Sequence, residues 1–511
     1  MIKSILLSMI IMTSIFAQEF VELKNPASNK LVVKFFFKNG SVSDPSGKEG
    51  LTSAVVNTIL QGGTGELTYS AIQELNYPMA SRYYANVDKE VSIFTFEIHN
   101  DWVGKFYPVM IGLITNPSFT ESDFNRVKVN QQNYVDQVIR ASSDEEYSKK
   151  ALEDFLFRGT RYQHMIQGKS ESVTALTLND VKEHYKNFFT RNNMVIGIAG
   201  NYSNDFLNKL KNDLTKLSDH SPSIPEVKTV DMPDGIKVEI ISKDNAFGSA
   251  IFAGFPMPIT RSSDEFAALM VANSYLGEHR KSYGRLYQQL REQRSMNYGD
   301  YSYIEWYENG GSNMLPPAGV PRSSNYFSIW IRPVQIAKQL KVQYEELKDI
   351  KLGHAHFALR MAVWELDKLI KDGMTEEAFE STKKFLISYT KLYVQTPSQQ
   401  LGYLLDSKYY GREDYIKELE ELLNDLTLKD VNNAIKKYWQ TEKMFVTIVT
   451  DQSEAEALSE SLLNNIVSPM TYSDLVKAGL PKQILDDDEV VSKFPLNVKN
   501  VKVVQSKDTF K

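Results

Sequence analysis

Leu176-Thr177-Leu178-Asn179-Asp180-Val181 returns 250 positions later as Leu426-Thr427-Leu428-Lys429-Asp430-Val431. The echo continues at that offset: Lys186-Asn187-Phe188-Phe189 against Lys436-Lys437-Tyr438-Trp439, and Met194-Val195-Ile196 against Met444-Phe445-Val446. Three echoes in one register mark two copies of one fold, with room for a site between them. A fourth, Thr120-Glu121-Ser122-Asp123-Phe124 against Thr375-Glu376-Glu377-Ala378-Phe379, sits at offset 255 and needs only a loop-length difference.

Outward from these repeats, each half mixes strands and long helices. In the first half, Leu31–Phe37 reads as a strand, Leu51–Leu60 as a helix stopped by Gly62-Gly63-Thr64-Gly65, and Ser70–Leu75 as a short helix. Val91–Ile98 alternates apolar and polar residues, as a half-buried strand does. Helices follow at about 101–114 and 121–158, then a helix at 178–189 and a strand at Met194–Ala199. Leu217–Gly235, with Pro222, Pro225 and Pro233, is the linker. The second half opens on a strand at Ile236–Ile241, carries a Gly/Pro-rich insert at Asn309–Asn325, and closes on a helix at about 453–465. The boundaries are thus 18–217, 218–235 and 236–465, with a charged tail at 466–511. The fold class is α+β, in two homologous domains.

The chain has 511 residues, 42% hydrophobic and 24% charged, which excludes disorder and a membrane bundle. A net charge of −6 without a long basic run argues against nucleic acid as a partner. Lys3 followed by the apolar run Ile5–Phe16 and the small Ala17 reads as a signal peptide over 1–17. There is no Cys, so disulfides and thiolate zinc sites are excluded. An exported chain without disulfides points to a bacterial periplasm, and no later stretch is long and apolar enough to remain in the membrane after cleavage.

Several stretches resemble one family. Asp44-Pro45-Ser46-Gly47-Lys48-Glu49-Gly50-Leu51, Asn116-Pro117-Ser118-Phe119, Asn192-Asn193-Met194-Val195 and Gly284-Arg285-Leu286-Tyr287-Gln288-Gln289-Leu290-Arg291 occur in the order found in the inverzincin metallopeptidases of family M16, the pitrilysin, insulinase and mitochondrial processing peptidase group. The resemblance spans about residues 20–465 and implies two α/β-roll domains forming a clamshell.

Active members carry His-x-x-Glu-His on the first helix: two His one turn apart bind Zn²⁺, the Glu activates the metal-bound water, and a later Glu completes the site. Here Ser53 and Asn57 stand at the two His positions and Val56 at that of the base. The distal Glu falls near Asn133, and no Glu occurs between Glu121 and Glu145. Neutral Ser and Asn are poor zinc ligands, and Val takes no proton from water. No His precedes His99, so a shifted alignment does not restore the site. His354-Ala355-His356 reads as an exposed helix start whose two imidazoles point to different faces. His99, His164, His184, His220 and His279 read as single surface or structural residues. No metal is expected in this chain.

What the resemblance retains is an Arg/Tyr element, Arg291 and Tyr298 seven residues apart. In the family this pair reaches the substrate peptide near the zinc, where guanidinium and phenol donate to a carbonyl or its oxyanion. Tyr83-Tyr84-Ala85 lies where the family's edge strand docks an extended peptide through main-chain bonds. It departs from the family's Asn-Ala-aromatic pattern. Trp330 reads as a core strand residue, and Gly310-Gly311 with Pro316-Pro317 as a mobile or binding loop. The combination implies the zinc-free subunit of a heterodimeric periplasmic peptidase. Zinc would come from a homologous partner, and a peptide or unfolded protein would be held between the halves. The alternative is a catalytically inactive peptide-binding or scaffold protein of the same fold.

Overall fold

The computed structural model describes residues 19–141, 143–305 and 315–510. The signal-peptide reading of 1–17 and Gly310-Gly311 lie outside these residues. Eleven strands among them form two sheets. In the first half, β1 (Glu19–Lys24), β2 (Lys30–Phe37), β3 (Arg82–Val87), β4 (Ser92–His99) and β5 (Met194–Gly200) are ordered β1-β5-β2-β4-β3. In the second, β6 (Ile236–Lys243), β7 (Ser249–Met257), β8 (Asp300–Tyr303), β9 (Asn325–Val334) and β10 (Phe445–Asp451) are ordered β6-β10-β7-β9-β8. Among these five strands of each half, the first pair is parallel and the other three antiparallel. Two sheets of identical connectivity are what the repeat predicts. The quoted echo itself is a helix start in both copies. Thr177 and Thr427 accept from the amides of Asp180 and Asp430, whose carboxylates accept back from the Thr amides.

Each sheet buries one face under its own helices and the other under a helix of the opposite half. The outer face of the first sheet, with Val32, Phe36, Ile93 and Val195, is covered by Leu401 and Leu405 of the helix Pro397–Tyr409. The approach is close at Gly197 of β5, where a Cβ would lie 3.0 Å from both Leu401 and Leu405. The corresponding face of the second sheet, with Phe252, Tyr303, Tyr326 and Trp330, is covered by Leu152 and Leu156 of the helix Asp144–Leu156. Trp330 is therefore core, but core shared between the halves. The expectation of a half-buried β4 fails for the same reason. Thr95, on the face that alternation assigned to water, is buried and accepts from Lys34 Nζ at 3.1 Å.

The expected helix 121–158 is broken. Glu121–Asn133 runs into a π-helical turn at Tyr134–Val138 and a short stretch at Ile139–Ala141. A new helix then starts at Asp144, where Ser143 Oγ accepts from Glu146 N and Asp144, Glu145 and Glu146 fill the first turn. That break turns the helix Asp144–Leu156 onto the second sheet.

A buried ionic cluster joins the halves. Arg322 donates to Asp88 from Nε and Nη2, each at 2.8 Å, and lies 3.4 Å from Glu153. Lys89 Nζ is 2.7 Å from Glu153. Glu90, at the same β3–β4 hairpin tip, accepts from Ser323 N and Oγ and from the hydroxyls of Tyr162 and Tyr409. The segment read as a mobile loop is thus a packed connector from Leu315 onward. Leu315 is buried, Tyr403 donates to Pro316 O, and Gly319 N donates to Asp406.

The tail is ordered. Lys482–Ser492 is a helix, and β11 (Val498–Gln505) adds a parallel strand beside β6. Phe510 then packs edge-on against Tyr147 at 5.4 Å, and Arg140 donates to Ser506 O and Thr509 O. The strand closes an edge, and its end pins a helix of the first half. Deletion of residues 498–511 is expected to cost about 3 kcal/mol or more. It should also expose β6 to aggregation; urea melts with light scattering check both. No helix among the described residues is long and apolar enough to cross a membrane.

Candidate functional site

The helix Leu51–Gln61 is started by Asp44, whose carboxylate accepts from Gly50 N (2.7 Å), Thr52 N (2.8 Å) and Thr52 Oγ1 (2.6 Å). Gly50 adopts φ 95°, and a Cβ would lie 2.5 Å from Gln167 O, so only glycine fits. This is the helix on which the metal motif belongs. Ser53 is buried, and Asn57 Nδ2 donates back to Ser53 O at 2.9 Å and lies 3.3 Å from Ser53 Oγ. The two positions therefore satisfy one another one turn apart. Val56 is packed in the apolar core. Asn133 ends the helix Glu121–Asn133, which packs against Leu51–Gln61. No group of three or more metal-donating side chains occurs among the described residues.

β3 is the free edge of the first sheet and lies alongside the helix Leu51–Gln61. Tyr83 points to the core, stacked on Phe96, with its hydroxyl accepting from Gln73 at 2.8 Å. Burial pushes that phenol up to about 12. Ala85 packs on the same side, while Tyr84 lies beside the Arg82 guanidinium on the other. The edge of the second sheet is different. All four residues of β8 are buried, and Asn273 closes the strand by donating to Ser302 O (3.0 Å) while accepting from Ser302 Oγ (3.3 Å).

The structure brings Arg291 and Tyr298 together. Arg291 sits in a π-helical turn, Tyr287–Glu292, with its guanidinium 5.4 Å from the Tyr287 ring and 5.8 Å from that of Tyr298. Tyr298 is 77% exposed. Its loop is fixed from below: Asn297 Nδ2 donates to Asp300 Oδ1 (2.7 Å) and Arg332 O (2.9 Å), and Asn297 Oδ1 accepts from Gly299 N. Sequence reasoning passed over Tyr287 and Asp300. Tyr287 stands four residues before Arg291, one helical turn, which was the signal available. Asp300 had none, since its burial depends on the sheet.

The buried histidines are structural. His354 and His356 do not form an exposed start: both are buried. His354 is bonded to Gln335 and Thr471, and His356 to Ser461. Loss of hydration pulls their imidazoles down to about 4 and about 3. His184 contacts Thr52 at 2.9 Å, and His279 pairs with the Tyr303 hydroxyl.

Next to His279, Glu278 is fully buried. Its Oε2 accepts from Ser274 Oγ at 2.7 Å, and burial raises the carboxyl from 4.5 to about 8. Below pH 4.5 the folded and unfolded states both hold this proton. Between pH 4.5 and 8 only the folded state does, so stability falls as pH rises. Glu278→Gln is expected to melt close to the parent at pH 4.5 and several degrees higher at pH 8, read by calorimetry at both values.

Two copies of one α+β unit, a first helix with Ser53, Val56 and Asn57 at the motif positions, and an Arg/Tyr pair in the second unit are the features on which the chain is compared with known proteins. Comparison with known proteins points the same way as the resemblance: the model of the peptidase M16 inactive domain matches residues 175–386. The non-peptidase homolog YmxG of Helicobacter pylori is 22% identical over 426 residues, covering 82% of this chain and 88% of that protein. The crystal structure of a peptidase M16 inactive domain from Pseudomonas fluorescens superposes with a TM-score of 0.70 at 16% identity, covering 84% of this chain and 95% of that one. A chain of complex III2 from Candida albicans gives 0.64 at 15%, with coverages of 84% and 93%.

Proposed function

We propose that this chain is the zinc-free subunit of an exported heterodimeric peptidase, acting with a homologous subunit that carries His-x-x-Glu-His. The observation that carries the reading is the contrast between the two helices. Ser53, Val56, Asn57 and Asn133 are not the His and Glu of the zinc motif, whereas Arg291 lies beside the rings of Tyr287 and of the exposed Tyr298. In this reading the partner supplies zinc and the water-activating carboxylate. Arg291 and Tyr298 donate to the carbonyl of the bound peptide and to the oxyanion that develops from it. The free edge of β3, with Tyr83, Tyr84 and Ala85, adds an extended peptide as a further strand. The peptide lies between the subunits and not, as the resemblance implied, between the halves of this chain, whose contact is packed core. The signal-peptide reading and the absence of Cys support a periplasmic site of action.

Co-purification with a zinc-motif homologue from the same source tests the pairing. A one-to-one complex with zinc confined to the partner supports it, and two separate species contradict it. A second reading, an inactive peptide-binding or scaffold protein, is favoured by the relative called a non-peptidase homolog. It predicts a complex, or peptide binding, without turnover.

A further inference from the structure

A cavity of about 350 Å³ lies where the start of the helix Leu51–Gln61, the loop after the helix Asp144–Leu156 and the linker between the halves meet. It shares no residue with the Arg/Tyr element or with β3. Five charged side chains line it: Glu49, Arg161, Lys169, Glu226 and Lys228. None of the five is in an ion pair among the described residues. Two are anchored to backbone instead. Arg161 Nη1 donates to Val42 O (3.0 Å) and Asp44 O (3.1 Å), which leaves its other N–H donors free. Glu49 Oε1 accepts from Gly47 N at 3.2 Å. The linker forms the far wall by strand-like alternation: Val227 packs against the core shared by the halves, and its neighbours Glu226 and Lys228 turn to the cavity. A sixth polar group, His164, is only 8% exposed. Its Nδ1 lies 2.9 Å from Met165 O, which can only accept, so Nδ1 carries the proton and Nε2 is left as an acceptor on a ring that lines the cavity. Burial, with the Lys89 ammonium, holds this imidazole down to about 4, so it is neutral near physiological pH.

We propose that this cavity binds a small zwitterion of the amino-acid or dipeptide class, with its ammonium on Glu49, Glu226 and His164 Nε2 and its carboxylate on Arg161, Lys169 and Lys228. Acids and cations that face one cavity without pairing leave both signs of charge to a ligand. A simple anion would meet the two Glu carboxylates, and a simple cation would meet three cations. Only a ligand with both charges gains at every wall. The polar lining and modest volume suit a small hydrophilic molecule. Because Glu226 and Lys228 belong to the linker, the ligand also clasps the linker to the first half. The inference stands apart from peptide cleavage and needs no partner subunit.

The test uses the full chain alone and three probes: the dipeptide Ala-Ala, acetyl-Ala-Ala, which lacks the ammonium, and Ala-Ala amide, which lacks the carboxylate. Isothermal titration calorimetry is expected to show Ala-Ala binding about tenfold tighter than either blocked form, since each loses one set of charge-assisted bonds. Glu49→Gln and Lys169→Gln should each bring Ala-Ala down to the level of the blocked forms, with circular dichroism melts confirming that both variants fold. Bound Ala-Ala should also slow trypsin cleavage after the exposed Lys228, read by mass spectrometry, and Glu226→Gln should lose that protection. Acetyl-Ala-Ala or the amide binding as well as Ala-Ala would make this a site for one charge only and overturn the proposal. No binding of Ala-Ala, binding that survives both Gln variants, or binding that leaves Lys228 unprotected overturns it equally. Because no partner is present, these results are independent of whether the heterodimer forms or cleaves.

Discussion

Replacing Arg322 with Ala is expected to destabilise the protein by about 3–5 kcal/mol, the cost of removing one partner from a buried ion pair. Arg322 and Asp88 are almost fully excluded from solvent, so the variant leaves a buried carboxyl without its donors. The effect reaches both halves, because Asp88 lies on the hairpin of the first sheet and Arg322 on the connector into β9. Glu153 is the control within the cluster. Burial acts to raise its carboxyl, but Lys89, Arg322 and Lys150 hold it down to about 2. With Arg322 gone, Lys89 still neutralises Glu153, and Asp88 alone is stranded. Arg322→Met combined with Asp88→Leu is therefore expected to recover much of the loss, because a buried pair replaced as a whole by apolar groups costs little. Urea unfolding of the parent, the single variant and the double variant measures this. A single variant within 1 kcal/mol of the parent would remove the cluster as the lock between the halves.

The second large effect is kinetic. In a reconstituted pair, Arg291→Ala and Tyr298→Phe are each expected to lower kcat by about a hundredfold, the order found when one donor to a developing oxyanion is removed. Zinc content and subunit association should stay unchanged, since neither residue is a metal ligand and Tyr298 projects into solvent from a loop fixed by Asn297. Steady-state kinetics with zinc quantified in the same samples separates a lost donor from a lost metal. Turnover unaffected by both variants moves the protein to the scaffold reading.

The repeat made the two-domain fold legible because capping and strand signals are local. Thr177-x-x-Asp180 and Thr427-x-x-Asp430 are complete capping boxes in sequence and in space. The residues at the motif positions, three for ligands and one for the base, are legible for the same reason: Ser53, Val56, Asn57 and Asn133 are read directly from the chain. What sequence missed was tertiary. The alternation along β4 is that of a half-buried strand, and only the arrival of Leu401 and Leu405 from the other half buries its second face. His354 and His356 read as exposed until the tail segment carrying Thr471 and the helix carrying Ser461 cover them. The Gly/Pro-rich stretch read as mobile, yet from Leu315 it is packed and carries Arg322, whose role depends on a hairpin 234 residues earlier in the chain. At the Arg/Tyr element, spacing identified the two residues but not the Tyr287 face beside Arg291 or the buried Asp300 beneath the loop.

The most direct measurement is peptide cleavage by the purified chain alone and mixed with its zinc-motif homologue, with bound zinc determined in every sample. The account predicts no zinc and no cleavage for this chain alone, and cleavage in the mixture beyond that of the homologue by itself. Stoichiometric zinc with cleavage in this chain alone would contradict it at its centre.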